Sequence, residues 1–318
     1  MRILITGATG YVGGNLVLKL LKNSSVEEII ALGRKGEKAS ILESEVKNPS
    51  KLDFVLGDLT KSGSLVGLGT KKIDQIIHLA AARGPSFCSE NPKAAVDVNI
   101  GATYKLLDVA RQENVSSFIY MSTRSIYGNQ ETRIVSEQAT PSPNDIYGLT
   151  KYGGEVLTSN LKNESIGYII LRPSRVYGLG IFMRRDNLLG RFTEQSINGD
   201  SLTIYGDGEQ LVDLIHIKDL CRFIAKIVFG THNECWGHVY NIGGGKFPSI
   251  NDLASTFKKV CKRLGLPGPG RKHVENANTR NCSPLLDITK AKNALNCEPS
   301  VPLHQGVREL LKFARKDN

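Results

Sequence analysis

The sequence predicts an α/β fold: a Rossmann-like, doubly wound parallel sheet joined to a smaller mixed α/β lobe. Three observations predict it. Short apolar runs alternate with helical patterns through the first half, and repeated strand–helix–strand units need a parallel sheet with helices on both faces. A glycine-rich turn links the first apolar run to the first helical one. After Tyr177 the alternation loosens.

The apolar runs at Arg2–Thr6, Glu28–Leu32, Asp53–Leu56, Gln75–Leu79, Ser117–Met121 and Gly167–Arg172 read as strands. Helical patterns fall near Gly13–Lys22, Pro92–Glu113 and Ile146–Lys162. Beyond Tyr177, a helix is expected near Asn187–Ile197 and another from Leu303 to Lys316, with a loop over residues 264–270. The division that follows is a dinucleotide-binding domain over 1–177, also receiving about 213–245. Residues 178–212 and 246–318 form the second lobe.

The chain has 318 residues, 40% hydrophobic and 23% charged, enough for an ample core and too apolar for disorder. Without an apolar run of membrane-spanning length or a leader before the first strand, a cytoplasmic protein is expected. Lys and Arg outnumber Asp and Glu by 41 to 31. The scattered excess fits an anionic small ligand rather than nucleic acid, for which no motif is present. Cys88, Cys221, Cys235, Cys261, Cys282 and Cys297 show no zinc spacing and read as reduced thiols; no metal is expected.

The first strand runs into Gly7-Ala-Thr-Gly10-Tyr11-Val12-Gly13. Glycines let backbone approach a pyrophosphate, and the following helix offers free N–H groups and a partial positive charge. An acid at the end of the second strand would bind the ribose hydroxyls of NAD. Gly33-Arg34-Lys35 stands there instead. Arg34 can pair with a 2′-phosphate, so NADP is favoured over NAD.

Tyr147 and Lys151 sit four apart on one helix face. An ammonium beside a phenol lowers its pKa from about 10 toward neutrality, giving an acid/base for carbonyl–alcohol exchange. Thr123 follows a strand, where its hydroxyl can orient a substrate oxygen toward Tyr147.

These residues carry a resemblance. The chain resembles the extended short-chain dehydrogenase/reductases of the epimerase/dehydratase type over nearly its whole length. The motifs are Thr-Gly-Ala-Thr-Gly-Tyr-Val-Gly at 6–13, Gly57-Asp58-Leu59, His78-Leu79-Ala80-Ala81, Asn99, Ser122-Thr123, Tyr147 with Lys151, and Leu171-Arg172-Pro173. Tyr205-Gly-Asp-Gly208, Asp213-Leu-Ile-His216, Tyr240-Asn-Ile-Gly243 and the tail from Asp287 to Pro299 continue the order.

The resemblance implies that Asp58 and Leu59 lie by the adenine and that Leu79, Ala80 and Ala81 line the cofactor cleft. It places Arg83, Asn99, Ser122 and Pro173 near the cofactor, and Lys151 on the nicotinamide ribose. His78 and His216 read as framework. The second lobe becomes substrate-binding, and a homodimer through the helices of 92–113 and 146–162 is implied.

Related dehydratases carry Thr-Asp-Glu where Thr123-Arg124-Ser125 stands, and elimination of water needs that acid and base. Sugar-nucleotide enzymes commonly grip the diphosphate with an Arg at the position of Val212. Arg175 replaces a family Asn, and Arg175, Arg184, Arg185 and Arg191 can compensate for the missing cation. Arg175, Asn187, Arg191 and Tyr205 are the candidate substrate contacts. The implied function is an NAD(P)-dependent oxidoreductase or isomerase of a nucleotide-diphosphate sugar, a 4-epimerase or 4-keto reductase. The alternative is an NADP-dependent ketoreductase of a small or apolar carbonyl compound, which Val212 would suit. A non-catalytic cofactor sensor is disfavoured by the complete Thr123, Tyr147 and Lys151 set.

Overall fold

The computed structural model describes the chain apart from residues 35, 62, 64, 66–67, 69–70, 131, 184, 231–232, 276–282 and 318. Thirteen strands are found among the described residues. They are β1 (Arg2–Thr6), β2 (Glu28–Gly33), β3 (Leu52–Leu56), β4 (Gln75–His78), β5 (Ser117–Met121), β6 (Ile134–Val135), β7 (Gly167–Pro173), β8 (Arg175–Tyr177), β9 (Leu202–Tyr205), β10 (Leu214–His216), β11 (His238–Ile242), β12 (Arg271–Val274) and β13 (Leu285–Leu286). The helices are α1 (Tyr11–Leu20), α2 (Glu37–Glu45), α3 (Pro85–Glu90), α4 (Pro92–Val96), α5 (Ala102–Gln112), α6 (Ile146–Ser159), α7 (Leu188–Asn198), α8 (Ile217–Gly230), α9 (Ile250–Arg263), α10 (Thr289–Leu295) and α11 (Leu303–Asp317). None is long and apolar enough to cross a membrane.

Seven strands form one parallel sheet in the order β3-β2-β1-β4-β5-β7-β11. The apolar strands bury both faces, as a parallel sheet between helices requires. Side chains alternate faces along a strand. Ile3, Ile5, Ile77 and Ile119 therefore meet α1 and α8, while Leu4, Ile30, Ile76 and Phe118 meet α5. Strand order reverses beside β1, and at such a point open α/β sheets take their ligands, at the carboxyl ends of the strands.

A separate cluster joins α7, α9 and α11 around Phe192, Leu202, Phe257 and Leu311, with the two phenyl rings edge-on at 5.6 Å. Ala291 and Leu295 of α10 pack instead with the sheet. A capping box of Ser249 and Asp252 fixes the start of α9.

The strand boundaries read from the sequence agree with the fold to within a residue or so. The helix expected over 92–113 is not continuous. A π-helical turn over Asp97–Gly101 separates α4 from α5. It turns the buried Asn99 amide onto Ala82, whose N–H it accepts and whose carbonyl it donates to, each at 2.9 Å. A second donation reaches the Thr150 hydroxyl on α6.

A buried ion pair ties α6 to the sheet. Arg172 of β7 meets Glu155 through Nη2 at 2.6 Å and Nε at 3.0 Å. Its Nη1 donates to the Tyr127 hydroxyl, which donates to Asn241 of β11. Removing one partner of such a pair strands a buried charge. Glu155→Gln is expected to cost about 3–5 kcal/mol, lowering Tm by roughly 10 °C in a calorimetric scan. A drop of a degree or less would show that the pair contributes little.

Candidate active site

The glycine turn is shaped by close approach. Gly7 has φ +71°, and a Cβ there would lie 2.8 Å from the Ala80 nitrogen. A Cβ on Gly13 would lie 2.1 Å from the Gly7 oxygen. The Gly10 N–H donates to the Gly7 carbonyl at 2.8 Å, and no side chain caps α1. The helix thus presents its N–H groups to the crevice. Tyr11 faces away: its hydroxyl donates to the Gly178 carbonyl at 2.6 Å, and burial pushes its phenol up. Val12 is half-buried against the sheet core.

Arg34 is exposed at the end of β2. The Thr60 N–H and hydroxyl hold the Asp58 carboxyl below the usual range, and Arg34 adds to this. Leu59 is buried, and Leu79, Ala80 and Ala81 are half-buried beyond β4. The Thr6 hydroxyl accepts the Ala80 N–H at 3.2 Å, and Asn99 holds Ala82 as described. Ser122, at the end of β5, has a buried hydroxyl with no hydrogen-bond partner among the described residues. The glycine turn, the uncapped helix and this hydroxyl suit a dinucleotide lying across the strand ends. Pro173 ends the neighbouring β7.

The structure brings Thr123, Tyr147 and Lys151 together. Asp145 caps α6 by accepting the Gly148 N–H at 2.7 Å. The next residues on that helix are Tyr147 and, one turn on, Lys151. The Thr123 hydroxyl accepts the Ser125 N–H at 3.2 Å and hydrogen-bonds the Tyr147 hydroxyl.

The electrostatics differ from the sequence expectation. Burial pushes the Tyr147 phenol up, opposed by the Thr123 bond and by the exposed Arg83. The Lys151 ammonium lies 4.1 Å from the centroid of the Tyr120 ring, and burial pushes it down to about 7 against the pull of Glu155. The shared helix face sets the two side chains near each other, but the aromatic ring on β5 decides where the ammonium points. Cys88, Tyr120 and Glu155 were missed as neighbours of the set. Glu155 alone had a local signal, four residues beyond Lys151 on the same face.

His78 is fully buried between the Thr6 and Thr103 hydroxyls at 2.7 and 3.1 Å, and burial holds it well below the usual histidine value. It is framework. His216 packs edge-on to Tyr177 at 5.1 Å.

A cavity of about 240 Å³ opens where α1 meets α7 and α11, lined by Tyr11, Met183, Arg185, Asn187 and Thr193 among others. The Asn187 side chain caps α7 through the Gly190 N–H at 2.9 Å. Arg191 lies 5.1 Å over the Tyr205 ring. Arg184 lies outside the described residues. Val212 is buried in the core of the second lobe, so its apolarity serves packing. Arg175, exposed at the start of β8, stands apart from these residues and close to Arg124.

Comparison with known proteins follows the same lines. The profile of the NAD dependent epimerase/dehydratase family matches residues 3–243. An uncharacterised UDP-glucose epimerase of Bacillus subtilis is 31% identical, with 98% of each chain covered. A dTDP-glucose 4,6-dehydratase of an Actinoplanes species is 26% identical over 99% of this chain and 98% of its own. The crystal structure of UDP-glucuronic acid 4-epimerase from Bacillus cereus, with UDP-glucuronic acid and NAD, superposes with a TM-score of 0.85 at 30% identity, covering 100% of both chains.

Lys151 releases its proton near 7 in the fold, against about 10.4 in an unfolded chain. Between those values the folded chain binds fewer protons, so stability rises with pH there and the cost of a buried cation is fully felt below 7. Lys151→Met is expected to flatten the Tm profile between pH 7 and 10. Parallel profiles for the two proteins would contradict the burial of this ammonium.

Proposed function

The chain belongs to the NAD dependent epimerase/dehydratase family, and from that premise we propose that it inverts nucleotide-diphosphate sugars at C4. The observation that carries this reading is the hydrogen bond between the Thr123 and Tyr147 hydroxyls at the end of β5. Arg124 and Ser125 follow where water elimination would need carboxyl groups, which sets dehydration aside.

A nicotinamide dinucleotide would be held by the backbone of Gly7 to Gly13, the Ser122 hydroxyl, the cleft residues Leu79 to Ala81, and Lys151 at the ribose. When bound, it supplies a hydride acceptor and, oxidised, a positive charge. Tyr147 takes the proton of the C4 hydroxyl and later returns it, while Thr123 holds the oxygen in line. Arg34 supports a second reading, a 4-keto reductase drawing on NADPH. The ketoreductase of apolar substrates loses its support, since Val212 is a core residue.

Val96, Tyr104, Leu149 and Val156 are about half exposed on α4, α5 and α6. A second copy of the chain covering these helices accounts for them.

Tyr147→Phe is expected to lower C4 inversion of UDP-glucose or UDP-glucuronate about a thousandfold, with cofactor affinity kept. Turnover that survives would sink the acid/base assignment. Arg34→Ala should weaken NADP at least tenfold and NAD little, read by fluorescence titration. Equal losses would deny Arg34 a role in the choice. Leu149→Glu with Val156→Glu should sediment as a monomer if the helices form the dimer face; an unchanged sedimentation coefficient would contradict it.

A further inference from the structure

We infer that Tyr120 is a positioning residue: its ring is the seat that holds the Lys151 ammonium for the cofactor, in a space that Gly154 leaves open. This rests on the proposed place of Lys151 at the nicotinamide ribose.

Lysine carries a compact charge and three N–H donors on a flexible stem. Lys151 is only 2% exposed. A cation so buried is ordinarily held by a carboxylate or by several oxygens. Among the described residues the Lys151 ammonium has neither within hydrogen-bonding distance. Glu155, one helical turn on, is committed to Arg172 by two-point contact. What the ammonium has is the Tyr120 ring, with Nζ 4.1 Å from its centroid. A ring face attracts a cation, and more strongly away from water. Such a contact uses no directed N–H bond, so the three donors stay free for ribose hydroxyls.

The ring itself is fixed. Tyr120 is fully buried, and its hydroxyl donates to the Lys151 carbonyl at 3.2 Å. One side chain therefore holds the lysine at both ends. The His78 imidazole lies 5.6 Å from the ring, tilted by 48° and pinned between the Thr6 and Thr103 hydroxyls. Burial keeps His78 neutral, so no second cation competes for the ring.

Gly154 explains how the phenol fits. Glycine inside a helix is unfavourable relative to alanine. A Cβ at this position would lie 2.1 Å from the Tyr120 hydroxyl oxygen and 2.9 Å from the Asn99 carbonyl oxygen. The missing methyl group lets the ring lie against the backbone of α6.

The test labels lysine Cε with an NMR-active isotope in the full chain, and assigns the Lys151 signal through Lys151→Met. Binding of NAD and NADP is measured by calorimetry, and C4 inversion of UDP-glucose and UDP-glucuronate is followed in parallel. Protons held over a ring face resonate upfield, so the Lys151 Cε protons should stand upfield of ordinary lysines in the wild type. Tyr120→Phe should keep that signature, with dinucleotide affinity within about twofold of wild type. Tyr120→Leu should lose it and bind dinucleotide about tenfold more weakly, with kcat lowered as well. Gly154→Ala presses on the ring from the helix and should change the signal and the affinity in the same direction. It replaces Tyr120→Leu as the test if that variant does not fold. A wild-type signal at the ordinary lysine position would overturn the seat, as would wild-type affinity in a folded Tyr120→Leu protein. The ring-shifted signal and its loss with affinity, found in a protein that inverts neither sugar, would keep the seat and remove the C4 reading instead.

Discussion

The buried pair of Arg172 and Glu155 holds the active site in register. Tyr147, Lys151 and Glu155 recur every fourth residue on one face of α6. Fixing the last of them to β7 fixes the first against the end of β5. Tyr127 and Asn241 extend the link to β11, and Asn241 also donates to the Val135 and Asp287 carbonyls. One connected set of hydrogen bonds thus spans the helix, the outer sheet strands and the chain segments under the second lobe. Burying two charges has a desolvation cost, offset here by two-point geometry and by the Tyr127 hydroxyl. What the arrangement secures is position, which catalysis by aligned hydroxyls requires.

Burial dominates the electrostatics of the site. The phenol is pushed up, the ammonium is pushed down, and the Ser122 hydroxyl lacks a partner among the described residues. All three follow from placing polar groups in a dry crevice. A cationic nicotinamide ring would lower the phenol, and ribose hydroxyls would offer the Lys151 ammonium partners.

Much of this was legible in the sequence because it is local. The glycine turn, the four-residue spacing of Tyr147 and Lys151, and the strand before Thr123 are short-range patterns. What escaped was set by long-range contacts. Lys151 points at Tyr120, thirty-one positions away in sequence. Asn99 breaks an otherwise helical run because Ala82 needs its amide. Val212 looked like a lost anion clamp and is a core residue, which only the packing of the second lobe reveals. Helix α8 begins at Ile217, directly after β10 ends at His216, so no turn residue marked its start. Helix α9 did carry a signal in Ser249 and Asp252, spaced as a capping box.

In the proposed inversion the hydrogen on C4 leaves and returns within one bound complex, with Tyr147 handling the hydroxyl proton. The direct measurement is NMR of the product formed in ordinary water from a UDP-sugar carrying deuterium at C4. The account predicts inversion at C4 with the deuterium retained on the sugar. Inversion with the label exchanged for solvent hydrogen would contradict it, as would recovery of the substrate unchanged.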